Sequence, residues 1–354
     1  MENKISNAAL GFPKSILNNY QEFNENDFGR VIEEHKERYV VQNELGSFSA
    51  EITGQLRFTA TDRSSFPVVG DWVRMQIFDE DKALVHEVVH RERALTRQAV
   101  GRDAEVQYIA SNIDTAFIVE AVNRDFNLNR MERYMTLCYD AGIHPVFILN
   151  KVDLISEDRL EEMKFEIENR LFGMDLICTS ATSTEGMSKL KDTIEEAKTY
   201  CFLGSSGVGK SSLINVLFDD QLLATGAIGD GNDRGKHTTT SRSLHVLPSG
   251  GILIDNPGTR EVGMVSDNDG LSTTYAYIED IAEDCRFSNC THVHEKGCAV
   301  IEAVNNEEIS EEAYQNYLRL GREQAHFEST VAERRKKGKD LARVIKDVKR
   351  LKNR

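Results

Sequence analysis

Between Phe28 and about Leu95, short runs of alternating apolar and polar residues recur: RYVVQNE, FSAEITGQLRF, DWVRMQIF and ALVHEVVH, separated by Gly-rich or acidic turns. A period of two puts the apolar residues of each run on one face, so the segment predicts a small antiparallel barrel, and an OB-like barrel of about five strands fits. From about Ile113 the pattern changes. TAFIVEAV, PVFILN, DLICTS, YCFLG and GGILID read as strands, alternating with the helical-period segments RMERYMTLCYDAG and KSSLINVLF. That alternation predicts a parallel sheet covered by helices. After Gly263 a Thr- and Asp-containing link leads to a Cys/His cluster and then to a polar helical tail. In the tail Leu341, Val344, Ile345, Val348 and Leu351 recur at helical spacing, so one face is expected to dock on protein while Lys and Arg face outward. The residues up to Asp27 read as a loosely ordered polar extension whose role is unreadable, and no internal repeat is present.

Length and composition narrow the class. At 354 residues, two or three domains are expected from a prior of roughly 100 to 200 residues each. No apolar run approaches the roughly 18 residues that span a bilayer, so no membrane partner is expected. The opening residues show neither the basic flank nor the apolar stretch of a secretory signal, and a cytoplasmic location is expected. The net charge of −15 is uneven: Val331 to Arg354 carries eleven Lys and Arg against three acids, +8, which leaves −23 elsewhere. An acidic body with a basic arm suits RNA engagement by the tail, a solvated basic helix being the alternative. The barrel is slightly acidic, so the basic linker RERALTRQAVGR is the better RNA contact. A monomer is expected, since nothing in the sequence suggests a dimer surface.

The motif Gly204-Ser205-Ser206-Gly207-Val208-Gly209-Lys210-Ser211 matches G-x-x-x-x-G-K-[ST], directly after the strand YCFL and opening the helix SSLINVLF. Its glycines let successive N–H groups turn toward phosphate oxygens, and the helix N-terminus, with Ser212 in its first turn, adds positive potential. Lys210 reaches the β- and γ-phosphates, and Ser211 can ligate Mg2+. The base is read elsewhere. Asn150-Lys151-Val152-Asp153 follows the strand PVFIL. A buried carboxylate at Asp153 accepts two hydrogen bonds from guanine N1–H and its exocyclic amine; adenine presents the wrong pattern there and is rejected. Asn150 is expected to tie the loop and contact the base edge, and Lys151 to lay its stem along the base plane. After the strand DLIC comes Thr179-Ser180-Ala181, where a main-chain N–H near Ala181 can meet guanine O6.

Asp255 and Gly258 form a D-x-x-G element after GGILI, with Asp255 expected on Mg2+ through water and the Gly258 amide at the γ-phosphate. Between it and the P-loop runs GAIGDGNDRGKHTTTSRS, the pattern of a mobile switch, a bland loop being the alternative. One threonine among Thr238, Thr239 and Thr240 is expected to complete the Mg2+ shell, with Thr239 the choice. GTP-binding proteins usually place the P-loop before N-K-x-D. Here N-K-x-D precedes it by about fifty residues, so the domain is circularly permuted, which is tolerable where domain termini lie close together.

Six cysteines form two groups: Cys138, Cys178 and Cys201 are isolated in apolar segments and read as core thiols, while Cys285, Cys290 and Cys298 cluster around His292. Three thiols and one imidazole are the donor set of a closed structural zinc site, with His294 a competing ligand and reduced structural cysteines the alternative.

Barrel, permuted motifs and Cys/His cluster together resemble the ribosome small-subunit-dependent GTPase A family, from about Phe28 to Cys298. VGDWV, GSSGVGKSS, GKHTTT, LPSGGILIDNPGTRE and the four metal-type ligands carry the resemblance. Asn256 departs from it, Thr being usual there. The fold class expected is multi-domain α/β plus all-β: an N-terminal extension (1–27), an OB-fold barrel (28–94), a circularly permuted P-loop GTPase domain (95–265) and a zinc-binding module with a basic helical tail (266–354). The resemblance implies a late maturation factor that binds the small ribosomal subunit and its rRNA through barrel and zinc module. It also implies slow GTP hydrolysis stimulated by the subunit, and release as GDP is formed. Many GTPases carry a water-orienting Gln after D-x-x-G; Thr259 stands here, so His237 is the candidate catalytic residue beside Lys210 and Thr239, packing being its alternative role. Rival readings are a binding switch whose hydrolysis is incidental, a P-loop ATPase or kinase, and a permuted GTPase acting on another RNA or protein.

Overall fold

The computed structural model describes residues 5–35, 38–60, 63–98, 106–123, 126–218, 242–255 and 270–326. The chain divides into two compact units, Met1–Leu95 with Tyr108–Glu261, and Thr96–Gln107 with Val262–Arg354.

In the first unit, β1 (Phe28–His35), β2 (Arg38–Asn43), β3 (Gly46–Ile52), β4 (Trp72–Asp79) and β5 (Lys82–Val88) build the barrel. Antiparallel pairs β1–β2, β2–β3, β4–β5 and β1–β4 and the parallel pair β3–β5 close the ring in the order 1-2-3-5-4-1, an OB-type barrel. Val31, Val41, Phe48, Ala50, Val73, Met75 and Val85 fill it. The run FSAEITGQLRF does not continue as a strand. Thr53 caps a helix over Gly54–Thr59, its hydroxyl accepting from the Leu56 N–H at 3.2 Å, so the cap ends the β pairing.

The extension ahead of the barrel is not loose over its described residues. Leu10, Phe12 and Ile16 are buried with Phe28, Trp72 and Val89, and the Phe12 ring meets Trp72 edge-on at 4.9 Å. Its apolar residues sit in turns and in the four-residue helix Ile16–Asn19, too short to show a period of two or 3.6 in the sequence.

Strands β6 (Ala94–Gln98) and β7 (Val106–Ser111) follow the barrel in sequence. Next come β8 (Thr115–Ala121), β9 (His144–Asn150), β10 (Leu176–Thr179), β11 (Thr199–Leu203), β12 (Ser243–Val246) and β13 (Ile252–Asp255), in the spatial order β10-β9-β8-β11-β13-β12. All these neighbours are parallel except β12 against β13. Helices Leu128–Asp140, Glu157–Arg170, Met187–Asp192 and Lys210–Leu217 connect them. β12 also pairs with barrel strand β1 at Glu33↔Ser243, joining barrel and nucleotide domain in one eleven-stranded sheet. Arg30 on β1 strengthens that junction: 2% exposed, it donates to the carbonyls of Leu10 (2.6 Å), Gly70 (3.3 Å) and Asn112 (3.3 Å) and to the Thr199 hydroxyl on β11 (2.9 Å). Burial pushes its guanidinium down to about 10, and Asp114 and Asp71 oppose the shift, so it is charged at neutral pH.

Over residues 270–326 the second unit carries the helices Gly270–Thr274, Ala276–Ala282 and Ala299–Asn305 and a helix over residues 311–326. Ile278, Val300, Ala303, Ile309 and Leu320 are buried, and Asn316 donates to the Tyr275 hydroxyl at 2.8 Å.

Candidate nucleotide site and metal cluster

Described loops leave the carboxyl ends of β9, β10 and β11, and β13 ends at Asp255 on the same edge, the one at which open parallel sheets bind ligands. The P-loop leaves β11. Gly204 has φ +140° and Gly209 φ +102°; a Cβ on Gly204 would lie 2.4 Å from the Val119 carbonyl oxygen, and one on Gly209 would lie 2.2 Å from Asn150 Nδ2. Both positions therefore require glycine, Gly204 to curl the loop over β8 and Gly209 to seat the N-K-x-D loop. Helix Lys210–Leu217 starts at Gly209, with the exposed Ser211 and Ser212 in its first turn. Val208 is buried, and Lys210 Nζ donates to the carbonyls of Gly204 and Ser205 at 2.7 Å each.

The loop after β9 is tied to the P-loop twice. Asn150, 1% exposed, donates from Nδ2 to the Val208 carbonyl at 2.8 Å and accepts at Oδ1 from the Thr179 hydroxyl at 3.1 Å. Lys151, in the left-handed region at φ 65°, donates from Nζ to the Gly207 carbonyl at 2.6 Å. Its stem thus bridges two loops, a contact that spacing could not disclose. Val152 is buried, and Asp153, in the middle of the turn Val152–Leu154, is exposed rather than buried, because that turn carries it past the end of β9. On the loop after β10, the fully buried Ser180 accepts at its hydroxyl from the N–H groups of Thr182 (3.2 Å) and Ser183 (3.0 Å), curling the chain at Ala181.

Asp255 ends β13 opposite Ser243 of β12. Burial raises its carboxyl above the usual range, and His245 and Lys210 counter that rise. Asp255 therefore lies within the electrostatic reach of the P-loop lysine. His237, Thr238, Thr239, Thr240, Asn256, Gly258 and Thr259 lie outside the described residues.

In the second unit, one ligand atom from each of Cys285, Cys290, His292 and Cys298 lies within 4.8 Å of the others. Cys285 Sγ is 3.8 Å from Cys298 Sγ and 3.6 Å from His292 Nδ1, which is 3.4 Å from Cys298 Sγ. A tetrahedral ion with bonds of about 2.3 Å holds its donors roughly 3.8 Å apart, so the four fit one metal ion. His292 reaches the group with φ 58°, and the Tyr314 hydroxyl donates to its carbonyl at 2.5 Å. Cys298 caps helix Ala299–Asn305; burial pushes its thiol up to about 11, whereas the N–H groups of Val300 and Ala299 hold the Cys285 thiol down against burial. His294 is exposed and is not a member of this group. Cys138 and Cys201 are buried core thiols, as expected, while Cys178 is half-buried.

An OB barrel fused to a parallel sheet in which the guanine-type loops precede the P-loop defines a circularly permuted P-loop GTPase. The profile of the RsgA GTPase family matches residues 88–265. The small ribosomal subunit biogenesis GTPase RsgA 1 of Bacteroides thetaiotaomicron is 37% identical over 356 residues, covering 99% of each chain. RsgA 2 of Vibrio parahaemolyticus is 39% identical over 323 residues, 91% of this chain and 86% of that one. The chain belongs to the RsgA GTPase family and is a hydrolase of GTP. The crystal structure of YjeQ from Thermotoga maritima superposes with a TM-score of 0.61 at 26% identity, over 84% of this chain and 98% of that one. YloQ, described as a circularly permuted GTPase, shares the fold with a TM-score of 0.59 at 23% identity, over 88% of this chain and 98% of that one.

Proposed function

We propose that this protein binds GTP with Mg2+, docks on the small ribosomal subunit late in its maturation, hydrolyses GTP when the subunit stimulates it, and leaves as GDP is formed. The observation that carries this reading is the tie between the N-K-x-D loop and the P-loop through Asn150, which holds a base reader and a phosphate cradle in one site. Relatives named for small-subunit biogenesis supply the partner.

In this reading the N–H groups from Gly204 to Gly209 and the helix N-terminus hold the phosphates, and Lys210 stabilises charge on the β- and γ-phosphoryl oxygens. Asp153 accepts from guanine, and because it is exposed, the base itself must dry that hydrogen bond for it to discriminate. The Ala181 N–H meets O6. Ser211, Thr239 and Asp255 are hard oxygen donors suited to Mg2+, whose role would be to neutralise phosphate charge. Gly258 senses the γ-phosphate and His237 orients water when the protein is on the subunit. Cys285, Cys290, His292 and Cys298 hold one zinc ion with no open position, so its role is folding. In this reading the chain works as an extension (1–27), a barrel (28–94), a GTPase domain (95–265) and a metal module with its tail (266–354), in the cytoplasm and as a monomer. Among the described residues no helix is long and apolar enough to cross a membrane.

The barrel presents a surface suited to RNA: Phe58 is 91% exposed on helix Gly54–Thr59, beside Arg57, and exposed aromatics with a neighbouring guanidinium stack bases. Residues 270–326 carry four Lys and Arg against eleven acids, which makes the metal module the weaker RNA contact. Co-sedimentation with purified subunits tests the cycle. A non-hydrolysable GTP analogue should retain the protein on the subunit and GDP should release it; equal retention in both states would leave a nucleotide-independent binder.

A further inference from the structure

A groove of about 960 Å3 runs beside the Cys/His cluster, between helix Ala276–Ala282 and the helix over residues 311–326. Its apolar lining includes Leu318, Phe287 and Val293, the last two 46% and 57% exposed. Large apolar side chains gathered around a concave surface mark a contact site, unlike the same residues scattered singly. The groove also carries the exposed acids Asp280 and Glu283, and Arg322 is the basic residue among those lining it. The acidic module around it, −7 over residues 270–326, repels a polyanion and favours a cationic occupant with an apolar stripe.

The chain contains such a segment. Residues 331–354 carry +8, and Leu341, Val344, Ile345, Val348 and Leu351 fall on one face at helical spacing, a stripe about 15 Å long at 1.5 Å per residue. Fourteen residues lie between His326, the last described residue of the groove-lining helix, and Leu341, a tether reaching up to about 50 Å when extended. A tether of this kind holds its end at an effective concentration on the order of millimolar, far above that of a second copy of the chain in dilute solution. We infer that Leu341–Leu351 docks in cis in this groove, its apolar stripe against Phe287, Val293 and Leu318 and its Lys and Arg over Asp280 and Glu283. The basic arm of the free protein is then held on its own acidic module, and an RNA partner must compete for it. This inference is independent of the nucleotide chemistry.

Hydrogen exchange on the full-length chain tests it, comparing wild type with the double variant Val344→Asp, Val348→Asp. Peptides spanning residues 276–293 should exchange at least ten-fold faster in the variant, with unchanged circular dichroism. Wild-type protection should persist on dilution and weaken in high salt. Equal exchange in both chains would overturn the inference, as would protection that disappears on dilution along with a dimer mass, or protection that arises only when small-subunit RNA is added. A second variant, Asp280→Lys with Glu283→Lys, should also raise exchange at these peptides; unchanged protection there would remove the charge complementarity on which the inference stands.

Discussion

The side-chain amide of Asn150 donates to the main-chain carbonyl of Val208 at 2.8 Å across 58 residues of sequence, making the base-reading loop and the phosphate loop one mechanical piece. Circular permutation leaves this bond intact, because it depends on the neighbouring ends of sheet strands and not on where the chain begins. Replacing Asn150 with Ala removes the bond and leaves a buried carbonyl unpaired, so GTP affinity should fall by about ten-fold or more, equivalent to roughly 1.4 kcal/mol. Gly209→Ala should be worse, since its Cβ would meet Asn150 Nδ2 at 2.2 Å in a backbone with φ +102°. Titration with a fluorescent GTP analogue checks both, and wild-type affinity in Gly209→Ala would contradict the close approach.

Base choice rests on Asp153. A carboxylate accepts from N1–H and the exocyclic amine of guanine together, whereas an amide offers one acceptor and a donor that opposes the amine. Asp153→Asn should therefore weaken GTP about 100-fold or more and improve binding of xanthosine triphosphate, whose C2 carbonyl accepts from the new amide. Competition between the two nucleotides gives the answer; an unchanged GTP preference would move guanine reading away from this residue.

Arg30 joins the extension, barrel, linker and nucleotide domain of the first unit through its four hydrogen-bond acceptors. Arg30→Met keeps apolar bulk and strands those acceptors, and should destabilise the first unit by about 3 kcal/mol, read from the urea midpoint. A shift of less than about 0.5 kcal/mol would mean that the β1–β12 pairing alone holds the junction.

Arg30 also shows why the barrel was only partly legible. Four barrel runs alternate cleanly and were readable, but FGRVIEEH does not: β1 is buried at its first four positions, including Arg30, because it closes the ring against β4 and is covered on its other face by the extension. A strand covered in this way loses the period-two signal. β12, four residues long, was too short to stand out. The P-loop, N-K-x-D and the Cys/His spacing were readable because their chemistry fixes residue types at close positions. The hydrogen bond from Lys151 to the Gly207 carbonyl, and the exposure of Asp153, depend on turn geometry that no spacing encodes.

The cysteines separate by environment. Burial pushes the Cys201 thiol up to about 12, so at pH 8 its thiolate fraction is on the order of 10^-4, and burial raises the Cys138 thiol as well; neither should react with iodoacetamide in the folded protein. Treatment with a strong zinc chelator should expose Cys285, Cys290 and Cys298 to alkylation while leaving Cys138 and Cys201 unmodified. Mass spectrometry of the labelled peptides tests this. Labelling of the three clustered thiols at the same rate with and without chelator would speak against a metal in the second unit.

Base stacking on the barrel is tested by Phe58→Ala. The side chain is 91% exposed, so its loss should leave stability and GTP affinity unchanged while weakening subunit binding by roughly ten-fold, within the 1 to 3 kcal/mol of one stacked base. Unchanged binding to the subunit would move the RNA contact off this helix.

The most direct test of the account is the rate of GTP hydrolysis with and without purified small ribosomal subunits, with Lys210→Ala as the control. Turnover should be slow for the protein alone, rise about 100-fold or more on the subunit, and lose that stimulation in Lys210→Ala. Tight GTP binding with the same slow turnover in the presence of subunits would contradict it.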